Sequence, residues 1–221
     1  MGSAKKSNTD RKARIEEMRR AEQSRERRNR VLTIAASVVV VAGLVVGGVV
    51  LVQSQDDKGS TTAASDSSGK GKFVTGKDGV KTWEGKLSRK HVTRAVKYAS
   101  EPPVGGEHHR AWMNCNGDVY TEQLDNTNAV HSLEHGAVWV TYNAAAKKAD
   151  IDALAAKVKK TPYTLMSPVD DQKDPIMLSA WGHQRTVTGA SDPNVDTFLE
   201  KFVQGEQTPE LGAACTNGLS K

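Results

Sequence analysis

The stretch that decides the fold is NAVHSLEHGAVWV, residues Asn128 to Val140, in which a histidine-rich segment runs into an apolar one. His131 and His135 stand four positions apart, which is the spacing of neighbours on one face of a helix. Gly136 is typical of a helix end, and the AVWV that follows has the branched and aromatic side chains of a strand. The stretch predicts a helix of about two turns that ends at Gly136 and leads directly into a buried strand.

Beyond this stretch, the apolar pattern alternates between strands and helices. GAVWVTYN, YTLMSP and IMLSAWGHQRTV are rich in Val, Ile, Trp and Thr and are each predicted to be a strand. ADIDALAAKVKK and DPNVDTFLEKFV have helical spacing, with Asp150 as a cap of the first helix and Pro193 at the first position of the second. The order strand, helix, strand, strand, helix predicts an α+β domain, a small mixed sheet with helices on one face.

An uncharged apolar run, residues 31–52, precedes this domain. Its 22 residues would form a helix of about 33 Å, enough for a hydrocarbon core of roughly 30 Å. A cleavable signal peptide has an apolar region of only about 7 to 15 residues, and this run also follows thirty hydrophilic residues. The run is therefore predicted to be a single transmembrane helix.

The charge distribution predicts the orientation of that helix. Residues 1–30 carry a net charge of +6, whereas residues 53–221 carry about −1. The basic flank predicts a cytoplasmic N-terminus and an extracytoplasmic C-terminal part, that is, a single-pass cell-membrane protein with its tail near anionic lipid headgroups. Because the positive charge lies in the tail, the rest of the chain gives no indication of nucleic-acid binding. The sequence identifies no protein partner.

These observations divide the chain into four segments. Residues 1–30 form the basic cytoplasmic tail, 31–52 the transmembrane helix, 53–80 a flexible linker rich in Ser, Gly and Lys, and 81–221 the extracytoplasmic α+β domain. A chain of 221 residues suits one globular domain with such appendages.

The chain has two cysteines, Cys115 and Cys215. In an oxidising compartment, an isolated pair is expected to form a disulfide, which would pin the C-terminal segment to the start of the domain. The alternative is that Cys115 is a thiolate metal ligand and Cys215 is free.

Histidines gather near the central stretch and predict a metal site. The leading ligands are His108, from the Gly-rich turn GGEHH, with His131 and His135; three further candidates are His91, Met113 and Glu134. Imidazoles suit copper or zinc, and a thioether would favour Cu(I), so we expect copper before zinc.

Two other functions fit the same residues. HSLEH matches the H-x-x-E-H pattern of one class of zinc hydrolases, in which Glu134 would be the general base. Such enzymes place the motif in a long helix, which Gly136 prevents here, and the sequence assigns no other catalytic residue. The second alternative is a metal-free interaction or scaffold domain of the cell envelope, in which the polar residues only lock the loops. Whether the protein is an enzyme stays open.

Five segments in order carry a family resemblance: PPVGGEHH, WMNCNGDVY, NAVHSLEHGAVWVTY, SPVDDQKDPIMLSAWG and TPELGAAC. They resemble a bacterial, largely actinobacterial family of membrane-anchored domains of unknown function with an HxxEHG core. The resemblance covers roughly residues 84–215. It implies a shared fold but no activity.

Overall fold

The structure, a computed structural model, describes residues 65–66 and 71–221. The predicted cytoplasmic tail and the predicted transmembrane helix lie outside these residues. Within them, no helix is long and apolar enough to cross a membrane.

Strands of the described part build one large sheet and one small one. The strands are β1 (Ser65–Asp66), β2 (Lys72–Thr75), β3 (Lys81–Glu84), β4 (Val96–Lys97), β5 (Asn116–Val119), β6 (Val138–Tyr142), β7 (Thr164–Pro168), β8 (Ile176–Ala180) and β9 (His183–Thr186). Seven of them form a sheet in the order β2-β3-β9-β8-β6-β7-β5, and β1 pairs with β4. Strand β6 is parallel to β7 and antiparallel to β8, so the predicted mixed sheet is confirmed.

The three strands at the centre of the large sheet hold the core. Nearly every residue of β6, β7 and β8 is buried, so both faces of the sheet are covered there. Polar groups in this layer are paired: the indole N–H of Trp139 donates to the hydroxyl of Ser167 at 3.0 Å. The placement of the helices on one face stays a prediction.

Three helices accompany the sheet: α1 (Asn126–Glu134), α2 (Lys148–Val158) and α3 (Pro193–Phe202). The prediction that Asp150 caps α2 is wrong, because the N-cap of this helix is Lys147. The Asp150 carboxylate lies in the first turn and accepts the backbone N–H of Ala190 at 2.8 Å, which ties the helix to another segment. Pro193 starts α3 as predicted.

Helix α1 ends before Gly136 as its sequence predicts, but it begins at Asn126, two residues earlier than the predicted start at Asn128. The Asp125 side chain accepts the N–H of Thr127 at the start, as an N-cap does. At the other end, Gly136 has a φ of 90°, a conformation that favours glycine. The chain then enters β6 without a loop, which places the polar end of α1 beside the central strand.

One predicted strand is wrong. IMLSAWGHQRTV is not continuous but forms a hairpin of β8 and β9, in which Ala180 pairs with His183. The two residues between them, Trp181 and Gly182, make the turn, and Gly182 has a φ of 71°.

The large sheet also begins earlier than predicted. Strand β2 lies inside the expected linker, residues 53–80, and pairs with β3. Phe73 and Trp83 meet edge to face across the pair, with ring centroids 5.1 Å apart. The segment KFVT gave little signal because it is short and stands among Gly and Lys.

Candidate metal centre

Three buried histidines lie at the C-terminal end of α1, each oriented by a backbone carbonyl. His131 and His135 come from α1 and its cap, and His108 from the Gly-rich turn. Each donates from Nδ1: His108 to Gly106 O at 2.8 Å, His131 to His109 O at 2.8 Å and His135 to Ala214 O at 2.7 Å. Because a carbonyl can only accept, Nδ1 of each ring carries a proton. In His131 and His135, whose pKa values are lowered by burial, Nε2 then holds a lone pair at neutral pH. Metal-ligating histidines are oriented in this way.

Four of the predicted ligands come together. The ligand atoms of His91, His108, His131 and Glu134 all lie within 4.8 Å of one another, and we name these residues the inner set. A metal at about 2.0–2.1 Å from each ligand would hold ligand atoms about 3.3 Å apart, so modest side-chain shifts would close the set.

Within the inner set, His108 faces the carboxylate closely. Its Nε2 lies 2.9 Å from Oε2 of Glu134, and both side chains are almost inaccessible to solvent, at 0% and 1% exposure. This buried Nε2 makes no hydrogen bond of acceptable geometry to any described residue. An imidazole nitrogen and an ionised carboxylate oxygen this close are suited to a cation between them.

His135 lies in a second group. With His131 and Glu210 it forms what we name the outer set, whose ligand atoms also lie within 4.8 Å of one another. Nε2 of His135 is 3.6 Å from Oε2 of Glu210. The three leading ligands of the sequence prediction are therefore divided between two sets that have His131 in common.

Arg89 connects the carboxylates of the two sets. Its Nε donates to Oε1 of Glu134 at 2.6 Å, and its Nη2 donates to Oε1 of Glu210 at 2.8 Å. The other oxygen of each carboxylate faces a histidine. Sequence reasoning missed both Arg89 and Glu210, although Glu210 lies within the TPELGAAC segment.

The protonation states of these groups suit a cation site. Burial, with the neighbouring His135 and His108, lowers the pKa of His131 to about 4. Burial also lowers the pKa of His135. For Glu134, burial acts to raise the pKa, but His108 and Arg89 outweigh it and lower the pKa to about 2. At neutral pH, His131 and His135 are neutral and Glu134 is ionised, the forms that a metal requires.

The same electrostatics weaken the hydrolase alternative. A general base works best with a pKa near the operating pH. The carboxylate of Glu134 has a pKa of about 2 and is held by Arg89. It is therefore a poor proton acceptor.

We expect the metal-free protein to lose stability between pH 6.5 and about 4. In this pH window His131 is protonated in the unfolded chain but stays neutral in the folded protein, so acid favours unfolding. The shift from 6.5 to about 4 corresponds to at most about 3 kcal/mol. Urea unfolding in a chelator at several pH values measures the loss, and His131→Asn should reduce it. An equal loss in both proteins would contradict this assignment.

Met113 and His109 occupy distinct positions beside the sets. Met113 is buried, and its backbone carbonyl accepts the hydroxyl of Ser132 in α1 at 2.8 Å; its role as a ligand stays a prediction. Nδ1 of His109 accepts the N–H of Ala111 at 3.0 Å, so His109 has the opposite proton placement to the three buried histidines. His109 is therefore the matched control for them.

The predicted disulfide is confirmed. Cys115 and Cys215 are bonded with their Cα atoms 4.7 Å apart, so the interpretation of Cys115 as a thiolate ligand is wrong. The N–H of Cys115 donates to Cys215 O at 2.8 Å. The bond holds the C-terminal segment that supplies the Ala214 carbonyl.

Gly136→Ala is expected to destabilise the fold by about 1 to 3 kcal/mol. An added Cβ would stand 2.7 Å from Cγ2 of Thr208, in addition to the strain of the positive φ. Gly182→Ala is the control, since its φ is also positive but the nearest atom would be 3.7 Å away. Chemical denaturation of both variants measures the difference. Equal losses would show that the contact with the C-terminal segment contributes nothing.

The family comparison agrees with the resemblance. The profile of a family described as "Protein of unknown function (DUF3105)" matches residues 91–217, which include every residue of the inner and outer sets. No curated protein and no solved structure matches the chain. Because the profile covers more than half of the sequence, the chain belongs to the DUF3105 family of proteins of unknown function.

Proposed function

We propose that this protein binds a transition metal, copper in preference to zinc, in a domain held outside the cell membrane by a single-pass anchor. Its role is metal handling, or a metal-dependent redox step, at the cell surface. The observation that carries the proposal is the common orientation of three buried imidazoles. Each has its Nδ1 bonded to a carbonyl and its Nε2 left to face the other ligand atoms of its set, which include a carboxylate.

The inner set supplies the donor chemistry of such a site. Three imidazole nitrogens and one carboxylate oxygen are common ligands of zinc and copper, whereas calcium and magnesium prefer oxygen ligands alone. For a given nitrogen and oxygen site, divalent copper binds more tightly than zinc, which supports the preference for copper. The anchor and the orientation rest on the apolar run 31–52 and its basic flank.

The competing proposal is a metal-free scaffold domain, in which the carbonyl bonds of the histidines only fasten loops. The buried Nε2 of His108 favours the metal. It lies 2.9 Å from Oε2 of Glu134 but makes no hydrogen bond of acceptable geometry among the described residues, and a scaffold gains nothing from such a nitrogen.

Metal binding is tested by dialysing the purified full-length protein to equilibrium against Cu(II) or Zn(II) and measuring bound metal by mass spectrometry. The key variant is His131→Asn, whose amide N–H can still donate to His109 O in place of Nδ1 but which has no atom equivalent to Nε2. His109→Asn is the matched control.

We expect the wild type and His109→Asn to retain one ion, and His131→Asn to bind at least about 100-fold more weakly. In direct competition, copper should displace zinc. Equal metal contents in the wild type and His131→Asn would contradict the proposal and favour the scaffold.

A further inference from the structure

We propose that the centre holds one ion in either of two positions, the inner set or the outer set, and that His131 is the ligand common to both. This inference rests on the proposed function and deepens it. A protein that only stores or uses a metal needs one position. Two positions that share a ligand suit a protein that passes a copper or zinc ion to or from another ligand.

The two sets repeat one arrangement around His131. In the inner set, Nε2 of His108 faces Oε2 of Glu134 at 2.9 Å. In the outer set, Nε2 of His135 faces Oε2 of Glu210 at 3.6 Å. Each pair therefore offers one imidazole nitrogen and one carboxylate oxygen to an ion that also takes Nε2 of His131.

Arg89 orients the two carboxylates in the same way. It holds Oε1 of Glu134 at 2.6 Å and Oε1 of Glu210 at 2.8 Å, so each carboxylate turns its other oxygen toward the histidines. Bonds of this kind fix the direction of a ligand atom. The guanidinium thus orients one ligand of each set.

His131 limits the centre to one fully coordinated ion. Its Nδ1 is committed to His109 O, which leaves a single lone pair on Nε2. That lone pair serves an ion in one set at a time. The other set is then one ligand short, with two ligands left in the outer set or three in the inner set.

The two positions differ in the number of ligands. Each set has one ligand near the surface, the exposed His91 in the inner set and Glu210, whose side chain is 40% exposed, in the outer set. The outer set has three protein ligands, which leaves a fourth position open to an incoming donor, whereas the inner set has four. An ion that moves from the inner to the outer set exchanges His91, His108 and Glu134 for His135 and Glu210 and keeps its charge. The outer position is therefore the exchange position.

The test compares one variant of each set in the full-length protein: His108→Asn for the inner set, His135→Asn for the outer set, and His131→Asn for both. Each substitution can retain the N–H that donates to the carbonyl. The measurements are the number of bound Zn(II) ions, their affinity, and the rate at which a competing chelator removes them. Cu(II) serves as a second probe.

We expect one ion in the wild type. Because the inner set has four ligands and the outer set three, His135→Asn should keep its affinity within about twofold, whereas His108→Asn should bind its ion about 10- to 100-fold more weakly. His131→Asn should lose binding. His135→Asn should also release its ion to the chelator at least about 10-fold more slowly than His108→Asn, because only the inner position remains.

Two ions in the wild type, or a His135→Asn variant with an unchanged release rate, would overturn the two-position proposal and leave metal binding itself intact. A wild type that binds no ion would overturn the proposed function and this inference together.

Discussion

A Cys115→Ala/Cys215→Ala double variant is expected to be less stable than the wild type by about 4 kcal/mol, the largest loss that we predict. The disulfide closes a loop whose ends are 100 residues apart, and its removal restores that conformational freedom to the unfolded chain. Guanidinium unfolding of the oxidised wild type and the variant measures the difference. A loss below about 1 kcal/mol would contradict the role assigned to the bond.

In the same variant, metal binding by the outer set should be lost, whereas binding by the inner set should be retained. The carbonyl of Ala214, which orients His135, adjoins Cys215. Glu210 lies five residues before Cys215. Freed from Cys115, this segment no longer holds the two groups in place, whereas the bond of His108 to Gly106 does not involve it. We expect one slowly released Zn(II) ion that is insensitive to a further His135→Asn substitution. Chemically reduced wild type should behave like the variant.

The second large effect is expected for Arg89→Met, which should destabilise the metal-free protein by about 2 to 3 kcal/mol. The substitution leaves the Glu134 carboxylate, 1% exposed, without its guanidinium partner and with the His108 ring beside it. The loss is below that for a fully buried pair, because the Arg89 side chain is 49% exposed and water can enter.

Metal should reverse part of that loss. A bound divalent cation replaces the missing positive charge, so Zn(II) should raise the unfolding temperature of Arg89→Met by more than that of the wild type. Lys148→Met is the control, since Lys148 pairs with Asp152 on the surface and should change little with or without metal. A Zn(II)-induced increase smaller than that of the wild type would contradict the view that Arg89 neutralises the empty centre.

The sequence predicts the central part of this centre because its information is local. The spacing of His131 and His135 and the position of Gly136 are enough to predict a short helix that presents both rings beside a buried strand. His108 and His91 could be assigned to the same site from composition, and the structure places both with His131.

Arg89 and Glu210 could not be found in this way, since they reach the centre only through tertiary contacts far apart in the chain. Glu210 depends on the C-terminal segment that the disulfide fastens, and its N–H donates to Glu134 O at 3.0 Å. A prediction that took the expected disulfide as a distance restraint could have placed TPELGAAC near α1. The proton placement on each histidine depends on a carbonyl from another segment, which no spacing in the sequence reveals.

The errors in the predicted fold also have local causes. IMLSAWGHQRTV is rich in strand-forming residues over its whole length, and the turn at Gly182 depends on one positive φ that residue type alone does not require. Asp150 is a good cap by type, but its carboxylate bonds to Ala190. Strand β2 exists because Phe73 packs on Trp83, a contact that a short polar segment does not predict.

The most direct test is X-ray absorption spectroscopy of the full-length protein loaded with one equivalent of Zn(II). Metal held by His108, His131 and Glu134 should show only nitrogen and oxygen neighbours at about 2.0–2.1 Å, with the outer-shell scattering of at least two imidazole rings. His131→Asn should lose that imidazole signal, and His109→Asn should keep it. A spectrum without imidazole scattering, or with sulfur at about 2.3 Å, would contradict the histidine centre.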